Sequence, residues 1–366
     1  MENMISSRYA ACIMTLIITG SNLIFGITSE KQNDQWIPII LSMFMSIPFI
    51  FIYARIIKLY EGKSIFEVME ILFGKIFGKI LIGIVAFFGF HAAARLLKEF
   101  SEFISLTALR ETPQIPIIIM ISLVCLYLAK SKISVLGKFS LVVFLIGYAI
   151  NIFVFIIAIP FMKIQNILPI ISQSWGEIFQ SALNFMCLTA LEIVFGFAIM
   201  DKFSKNNNVK KIYFSALVFG YFLIFLVIIR TILILGSESS AIYYFPRYVA
   251  IRVINAGSFF ERIEKLTYYT YLLFGVVKIV IFLYTGCRAI SKIFEIENYQ
   301  EIMLPSCFLT ISTCAVLSDS IMQIFSFFSV YYFYSVPFQV IIPIFMWIIA
   351  EVKTRIQKKE QKEIAV

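Results

Sequence analysis

The chain has 366 residues, of which 60% are hydrophobic and only 14% charged, and its mean hydropathy is +0.91. No core of this length could hide so much apolar surface from water, so a soluble globular protein is excluded. The net charge of +9 does not indicate nucleic acid, because the basic residues are spread among loops and form no stripe. The composition predicts an all-α polytopic membrane protein.

Ten apolar stretches, most of them about 20 residues long, can each span a bilayer as a helix. We expect these spans at about 9–27, 36–56, 80–104, 115–130, 138–161, 178–200, 212–235, 266–287, 303–322 and 331–350. The fourth is short, and the run from Ile321 to Ala350 can be divided in more than one place, so nine or eleven spans stay open. We expect residues 1–366 to form one transmembrane domain with a tail at 351–366.

Basic residues distinguish the two sides of the membrane. With ten spans, the segments on the side of the termini hold 20 of the 31 Lys and Arg residues, counting Arg55, Lys130 and Lys138 at the adjoining span ends. The opposite segments hold 7, and the other 4 lie within spans. Because an excess of basic residues in short loops marks the cytoplasmic side, both termini and the tail are predicted to be cytoplasmic.

Two segments between spans are predicted to be helical. Ser64 and Glu67 have the spacing of a helix capping box, and Gly74 closes the run, so a short helix should lie on the cytoplasmic surface. Residues 244–264 mix aromatic, aliphatic and charged side chains too closely for a span, yet are too apolar for a solvated loop. We expect them to form a helical cover on the outer face.

Ten spans divide into two sets of five, and a second set folded like the first would be inverted in the membrane. Under that plan the first helix of each set is broken near the midplane, where backbone groups hold a substrate. Span one carries Gly20, Ser21 and Asn22 at its middle, and span six carries Thr189 and Glu192. The second site is the weaker match, since no proline or adjacent glycine interrupts it. The small residues of span one could equally serve close helix packing.

Span three is the richest in ionisable side chains, each of which needs a partner or a polar cavity in lipid. His91, Arg95, Lys98 and Glu102 share one helical face, with Glu99 beside it. Arg95 or Lys98 could meet a ligand carboxylate. Alternatively, Arg95 with Glu99 and Lys98 with Glu102 form a self-satisfied ladder.

Other spans carry single polar candidates. Glu192 is the only carboxylate in span six, and we expect it to bind a ligand ammonium or take up a proton, the alternative being a neutral acid bonded to another helix. Tyr268 and Tyr271 offer hydroxyls near the outer end of span eight, where an interfacial aromatic belt is the alternative. Arg230 is expected to snorkel toward the outer interface, and Lys278 has no partner that can be named.

Metal and catalytic chemistry have little support in this sequence. The six cysteines lie in or beside spans without a C-x-x-C pair, and the chain has one histidine. Neither a phosphate loop nor a nucleophile elbow is present. We therefore expect no metal, no cofactor and no enzymatic activity.

The outer segment carries a family resemblance. Tyr244-Phe245-Pro246-Arg247-Tyr248, followed by Arg252-Val253-Ile254 and Phe260-Glu261-Arg262-Ile263-Glu264, resembles the signature of the B subunits of Ger-type spore germinant receptors. These are ten-span proteins of the amino acid/polyamine/organocation transporter superfamily. Leu59-Tyr60-Glu61-Gly62-Lys63, Ile167-Leu168-Pro169 and Glu192 are supporting matches. The resemblance covers essentially the whole chain and implies a 5+5 inverted-repeat, LeuT-like transporter fold.

The resemblance also implies a function. Such a protein is a nutrient sensor in the inner membrane of a dormant spore, working with an A-type membrane subunit and a C-type lipoprotein. Binding of a small nutrient, often an amino acid, starts ion release and germination. The family often has a proline or small-residue break before the span-six glutamate, where this chain has Cys187-Leu188-Thr189-Ala190-Leu191, so ligand identity is not carried over.

The predicted pocket lies between spans one, three, six and eight and opens outward. Its predicted ligand-binding residues are Gly20, Ser21, Asn22, Arg95, Lys98, Thr189, Glu192, Tyr268 and Tyr271. The same residues fit a secondary amino-acid transporter coupled to H⁺ or Na⁺. A third possibility is a scaffold or ion-conducting subunit that binds no nutrient itself.

Overall fold

The structure is a computed structural model that describes residues 4–25, 34–204, 208–254, 263–318 and 320–364, with side chains described up to residue 357. Thirteen α-helices fill these ranges. In chain order they are α1 (Ser7–Thr19), α2 (Trp36–Leu59), α3 (Ile65–Phe73), α4 (Lys75–Thr107), α5 (Gln114–Lys130), α6 (Ile133–Ala158), α7 (Trp175–Leu188), α8 (Val209–Ile242), α9 (Pro246–Arg252), α10 (Ile263–Ile293), α11 (Met303–Val316), α12 (Ile321–Val336) and α13 (Ile342–Ile364). A 3₁₀ run, Ala190–Lys202, follows α7, and a π segment, Pro337–Ile341, joins α12 to α13.

The helices have the length and apolar character that a bilayer requires. Seven helical segments are long enough to cross it, and three shorter apolar helices, α1, α5 and α11, complete a set of ten within the described ranges. Large apolar side chains such as Phe44, Phe87 and Met120 point outward, with 59–67% of their surface exposed. Lipid can cover such an apolar surface, and helices satisfy their own backbone hydrogen bonds. These features confirm an integral membrane protein with about ten spans.

The ninth and tenth spans have different bounds from those that hydropathy predicts. The helix of the ninth span, α11, ends at Val316 instead of residue 322, and the helical run of the tenth span begins at Ile321 instead of residue 331. Because Pro337 has no N–H for the helical ladder, the run passes through a π turn there and continues as α13.

The predicted capping box begins α3. The Ser64 hydroxyl accepts the N–H of Glu67 at 3.2 Å, and the Glu67 carboxylate accepts the N–H of Ser64 at 2.9 Å. Gly74 has φ 81°, a conformation that favours glycine, and lets the chain turn directly into α4.

Helices α3 and α9 occupy equivalent places at opposite ends of the bundle. Near the start of α4, Gly78 lies against the backbone of Glu70. Near its other end, Phe103 packs against Tyr248 of α9, with ring centroids 5.6 Å apart. A helix after the second span of each half, at opposite ends, is what an inverted repeat produces. In the predicted outer cover, α9 is helical and largely buried, and residues 255–262 lie outside the described residues.

Both predicted helix breaks are present. α1 ends at Thr19, and residues 20–24 form turns. α7 ends at Leu188, and Thr189, with φ −123° and ψ −84°, leads into the 3₁₀ run. The break in span six therefore needs neither proline nor an adjacent glycine.

Side-chain amides satisfy the carbonyls at the end of α7. Asn22 Nδ2 donates to the carbonyl of Leu188 at 3.3 Å, and Gln339 Nε2 donates to that of Cys187 at 3.0 Å. In a membrane, carbonyls without partners would cost several kcal/mol each, so these bonds stabilise the break. Asn22 also ties the two breaks to each other.

A third break, which the sequence analysis did not predict, lies in α8. Gly236 has φ 73° and ψ 174°, so the helical ladder is interrupted there. The freed carbonyl of Leu233 instead accepts the N–H of Lys163 and the side-chain amide of Asn166, both at 2.9 Å.

Candidate functional site

A group of buried ionisable side chains lies where the two breaks meet α4 and α10. It comprises Arg95 and Glu99 from α4, Glu192 from the 3₁₀ run after α7, Lys278 from α10 and Tyr331 from α12. Each is at most 2% exposed. We call these five residues the central charge cluster.

Glu192 is the hub of the cluster. Arg95 Nη2 donates to Glu192 Oε1 at 2.8 Å, and the Tyr331 hydroxyl donates to the same oxygen at 3.1 Å. Lys278 Nζ forms an ion pair with Glu192 Oε2, and Arg95 also pairs with Glu99 one turn along α4. Two cations thus face two carboxylates, so formal charges give the cluster a net charge of zero.

Mutual pairing explains how four ionisable groups can be buried. Each isolated ion would cost several kcal/mol to bury, which close pairing and hydrogen bonds offset. The Arg95 guanidinium also lies over the ring of Tyr331, 5.0 Å from its centroid. Arg95 Nε and Glu99 Oε2 have no hydrogen-bond partner within the described ranges, so the cluster keeps capacity for further polar contacts.

Lys278 connects the cluster to the break after α1. Its Nζ donates to the Ser21 hydroxyl at 3.0 Å. A Cβ on Gly20 would lie 2.7 Å from Lys278 Cδ, so the lysine can pass this closely only because residue 20 is glycine. Glu192 lies in the first turn of the 3₁₀ run that follows the second break, and the cluster therefore contacts both discontinuous helices.

Six of the nine predicted ligand-binding residues lie in or beside the cluster. Arg95 and Glu192 belong to it, and Gly20 and Ser21 contact Lys278. The remaining two, Asn22 and Thr189, lie at the breaks beside the cluster. Asn22 connects the two breaks through its bond to Leu188. The Thr189 hydroxyl lies 2.9 Å from the Tyr221 hydroxyl and donates to a carbonyl of α7.

The other three lie elsewhere. Lys98 hydrogen-bonds to Gln114 at 3.0 Å and pairs with Glu102 at 3.6 Å. Tyr268 stacks on Phe103, with centroids 5.0 Å apart. Tyr271 is near Arg230. Both ion pairs of the predicted ladder, Arg95 with Glu99 and Lys98 with Glu102, therefore form. Arg95 additionally pairs with Glu192 in the 3₁₀ run.

Two partners in the cluster could not be predicted from the sequence, and one predicted position was wrong. Lys278 stood out as the only charge within span eight, but its partner lies far away in the chain. Tyr331 carried no signal, because it is one of several tyrosines in its helix. The prediction that Arg230 snorkels to the interface was wrong, since its side chain is 0% exposed and is covered by neighbouring helices.

A separate cavity of about 400 Å³ lies between α4, α5 and α10. Its lining is almost wholly apolar and comprises Phe100, Ile104, Leu109, Ile117, Met120, Ile121, Val124, Tyr269, Leu272, Leu273, Val276 and Ile279. A site for a small polar ligand needs several convergent polar groups, which the central charge cluster has and this cavity lacks.

Comparison with known proteins identifies relatives along nearly the whole chain. Residues 4–323 match the family model described as spore germination protein. Spore germination protein KB of Bacillus subtilis (strain 168) is 22% identical, over 99% of this chain and 98% of that protein. Spore germination protein A2 of the same organism is 25% identical, over 91% of this chain and 90% of that protein.

Solved transporters share the fold. Mhp1, a nucleobase-cation-symport-1 family transporter solved closed with bromovinylhydantoin bound, aligns with a TM-score of 0.60 at 10% identity, over 89% of this chain and 75% of that one. The Eremococcus coleocola manganese transporter, in complex with an aromatic bis-isothiourea substituted compound, aligns with a TM-score of 0.59 at 13% identity, over 92% and 77%. These likenesses show the LeuT-like fold expected from the sequence and say nothing of the ligand.

Proposed function

This chain belongs to the spore germination protein family, and from that premise we propose that it is the nutrient-sensing, ligand-binding membrane subunit of a spore germinant receptor. Its ligand is a small nutrient, an amino acid in our proposal. The chain then triggers germination together with an A-type membrane subunit and a C-type lipoprotein. We place it in the inner spore membrane with both termini in the cytoplasm. A permease-like family and fold support binding or transport, and we assign it no catalysed reaction.

The electrical balance of the central charge cluster carries this proposal. A zwitterionic amino acid brings one carboxylate, which can pair with Arg95 or Lys278, and one ammonium, which can pair with Glu99 or Glu192. The ion pairs are exchanged and no net charge enters. A ligand with a net charge would leave one buried ion without a counter-ion, at a cost of several kcal/mol. The cluster therefore favours zwitterions.

The same contacts supply a route from binding to signal. Lys278 touches the break after α1, and Glu192 touches the break after α7, so exchanging their ion pairs changes the contacts of both discontinuous helices together. In transporters of this plan, such helices surround the substrate and the two repeats move about them. In the receptor, we propose that this movement acts on the partner subunits.

The remaining predicted contacts are assigned by position. Ser21, Asn22 and Thr189 present polar groups at the breaks, beside the cluster. Lys98 lies one turn beyond Arg95 toward α9, and Tyr268 packs beneath α9. We propose that Lys98, Tyr268 and Tyr271 contact the nutrient on its way in.

A secondary amino-acid transporter coupled to H⁺ or Na⁺ is the second candidate, and the shared fold with two solved transporters favours it. The binding site would be the same. Saturable uptake of an amino acid by proteoliposomes that contain this chain alone would support transport. Absence of uptake combined with a germination defect would support the receptor.

Germination of spores that lack this chain tests the proposal. The spores are complemented with wild type, Glu192→Gln or Glu238→Gln, and exposed to amino acids, nucleosides, sugars and bile salts. Glu238 is an exposed glutamate and so controls for the same chemical change outside the cluster. We expect loss of the response to amino acids in the deletion strain, restored by wild type and Glu238→Gln but not by Glu192→Gln at equal protein level.

One result would contradict the receptor role, and another would contradict only the proposed ligand site. Unchanged germination with every nutrient, in a strain from which related receptors have also been removed, would contradict a sensing role. Full restoration by Glu192→Gln would remove the central charge cluster from the ligand site while leaving the receptor role standing.

A further inference from the structure

A second group of buried positive charge lies between α8, α9 and α10. Arg230 of α8 is 0% exposed, and Arg247 of α9 is 2% exposed. Arg230 Nη2 donates to the Tyr271 hydroxyl across a long 3.4 Å. Arg230 Nε and Nη1 and both terminal nitrogens of Arg247 have no hydrogen-bond partner within the described parts of the chain. We call these two residues the outer arginine pair.

The two guanidinium groups belong to one site. Tyr271 interacts electrostatically with Arg247 and is the hydrogen-bond partner of Arg230. Burial lowers the pKa of Arg247 to about 10, and the nearby positive charge of Arg230 also lowers it. Arg247 nevertheless stays protonated at neutral pH, because this pKa lies well above 7. Thr267, one turn before Tyr271 on α10, adds a buried hydroxyl that lacks a partner among the described residues.

This site differs from the central charge cluster in having no acidic partner within the described ranges: no ion pair to Arg230 or Arg247 is formed there. Two like charges side by side in an apolar environment repel each other and have lost their hydration. An anion between them would relieve both costs. Guanidinium groups present parallel N–H donors that match the two oxygens of a carboxylate, and the same N–H groups can donate to a halide.

We infer that Arg230 and Arg247, with the Thr267 hydroxyl, bind a small monovalent anion, a carboxylate or a halide, between α8, α9 and α10. Tyr271 precedes Lys278 by seven residues, so this anion site is about 10 Å along α10 from the central charge cluster. The bound anion joins the short helix α9 to α8 and α10. The inference does not depend on the proposed nutrient or on partner subunits.

Thermal unfolding of the full-length chain in nanodiscs of phosphatidylcholine tests the site. At constant ionic strength, a bulky sulfonate is replaced stepwise by chloride, bromide or acetate. We expect the unfolding midpoint of wild type to rise with the logarithm of the small-anion concentration, because ligand binding to the folded state stabilises it. Arg230→Gln and Arg247→Gln should abolish this dependence. Arg252→Gln, an exposed arginine on the same short helix, should keep it.

The choice of anions and variants separates the outcomes. A rise with acetate alone assigns the site to carboxylates, and a rise with chloride and bromide alone assigns it to halides. If the glutamine variants fail to fold, Arg247→Lys, which keeps the charge, should show the same dependence at higher anion concentration. The inference is overturned if the wild-type midpoint ignores every anion or if Arg247→Gln responds like wild type. It is also overturned if anion dependence appears only after Glu261→Gln, since a carboxylate of the chain would then occupy the site.

Discussion

The central charge cluster and the outer arginine pair are both buried beside broken helices, and α10 contributes to each. In the cluster, Arg95 and Lys278 face two carboxylates. In the outer pair, Arg230 and Arg247 face a tyrosine and a threonine. A balanced site can exchange its ion pairs with a zwitterion without gaining charge, whereas an unbalanced site gains most from an anion. We therefore propose a different class of ligand for each of the two sites.

The largest effect is expected from Glu192→Gln. Removing the hub carboxylate leaves Lys278 without an ion-pair partner and Arg95 with only Glu99. Breaking a buried ion pair by removing one partner costs about 3–5 kcal/mol. Thermal unfolding of the purified chain in nanodiscs should show this loss, and Glu238→Gln should not.

A second substitution sharpens this test. Lys278→Met in the Glu192→Gln background removes the cation that has lost its partner, so the double variant should be more stable than Glu192→Gln alone. If the losses in free energy of unfolding from the two single substitutions simply add in the double variant, the two residues are not coupled.

Gly20→Ala is expected to have the next largest effect. The new Cβ would lie 2.7 Å from Lys278 Cδ and 3.0 Å from the carbonyl oxygen of Leu16, so the lysine must move away from Ser21 and Glu192. Overpacking of this kind costs about 1–3 kcal/mol. Germination sensitivity should fall with stability. Gly83→Ala is the matched control, because its Cβ would meet nothing closer than 3.8 Å.

Tyr331→Phe should have a smaller effect on stability. It removes the hydroxyl that donates to Glu192 and keeps the ring beneath Arg95. We expect a loss of about 1 kcal/mol in the free energy of unfolding. Chemical denaturation of the two variants measures this loss. If Tyr331→Phe lowers the free energy of unfolding as much as Glu192→Gln does, the two cations are not the main partners that stabilise Glu192.

Arg247→Met should have the smallest effect, with the opposite sign. In a medium without small anions, removing one of two unpaired buried cations relieves repulsion, so stability should stay equal or rise by up to about 1 kcal/mol. Destabilisation there as large as that of Glu192→Gln would mean that Arg247 has an acidic partner, and the contrast between the regions would fail.

Much of the fold could be predicted, because the requirements that a bilayer imposes on a helix are met within short stretches of sequence. Ten apolar stretches, the capping box of Ser64 and Glu67, and the break at Gly20 are each visible in a short window of sequence. The bounds of the last two spans differ from those predicted, because a hydropathy window of span length averages the short polar segment around Ser318 and Ser320 into the apolar runs on either side. The break at Gly236 was missed, since an isolated glycine in an apolar stretch is also typical of helix packing.

The site was only partly predictable, because its chemistry depends on pairs that are distant in sequence. Arg95 and Glu99 could be paired by their spacing on one helix. The ion pair of Lys278 with Glu192 required the packing of α10 against the 3₁₀ run, and no spacing rule reaches that far. The assignment of Arg230 to the interface failed because neighbouring helices bury this side chain, and hydropathy does not describe how helices pack.

Equilibrium binding to the purified chain in nanodiscs tests the central claim most directly. Zwitterionic amino acids are compared with their amides, which lack the carboxylate, and with the corresponding deaminated acids, which lack the ammonium. We predict saturable binding of at least one zwitterion, loss of binding for both of its analogues, and loss in Glu192→Gln but not in Glu238→Gln. Equal binding by wild type and Glu192→Gln, or equal binding of the zwitterion and its deaminated acid, would contradict a zwitterion site at the central charge cluster.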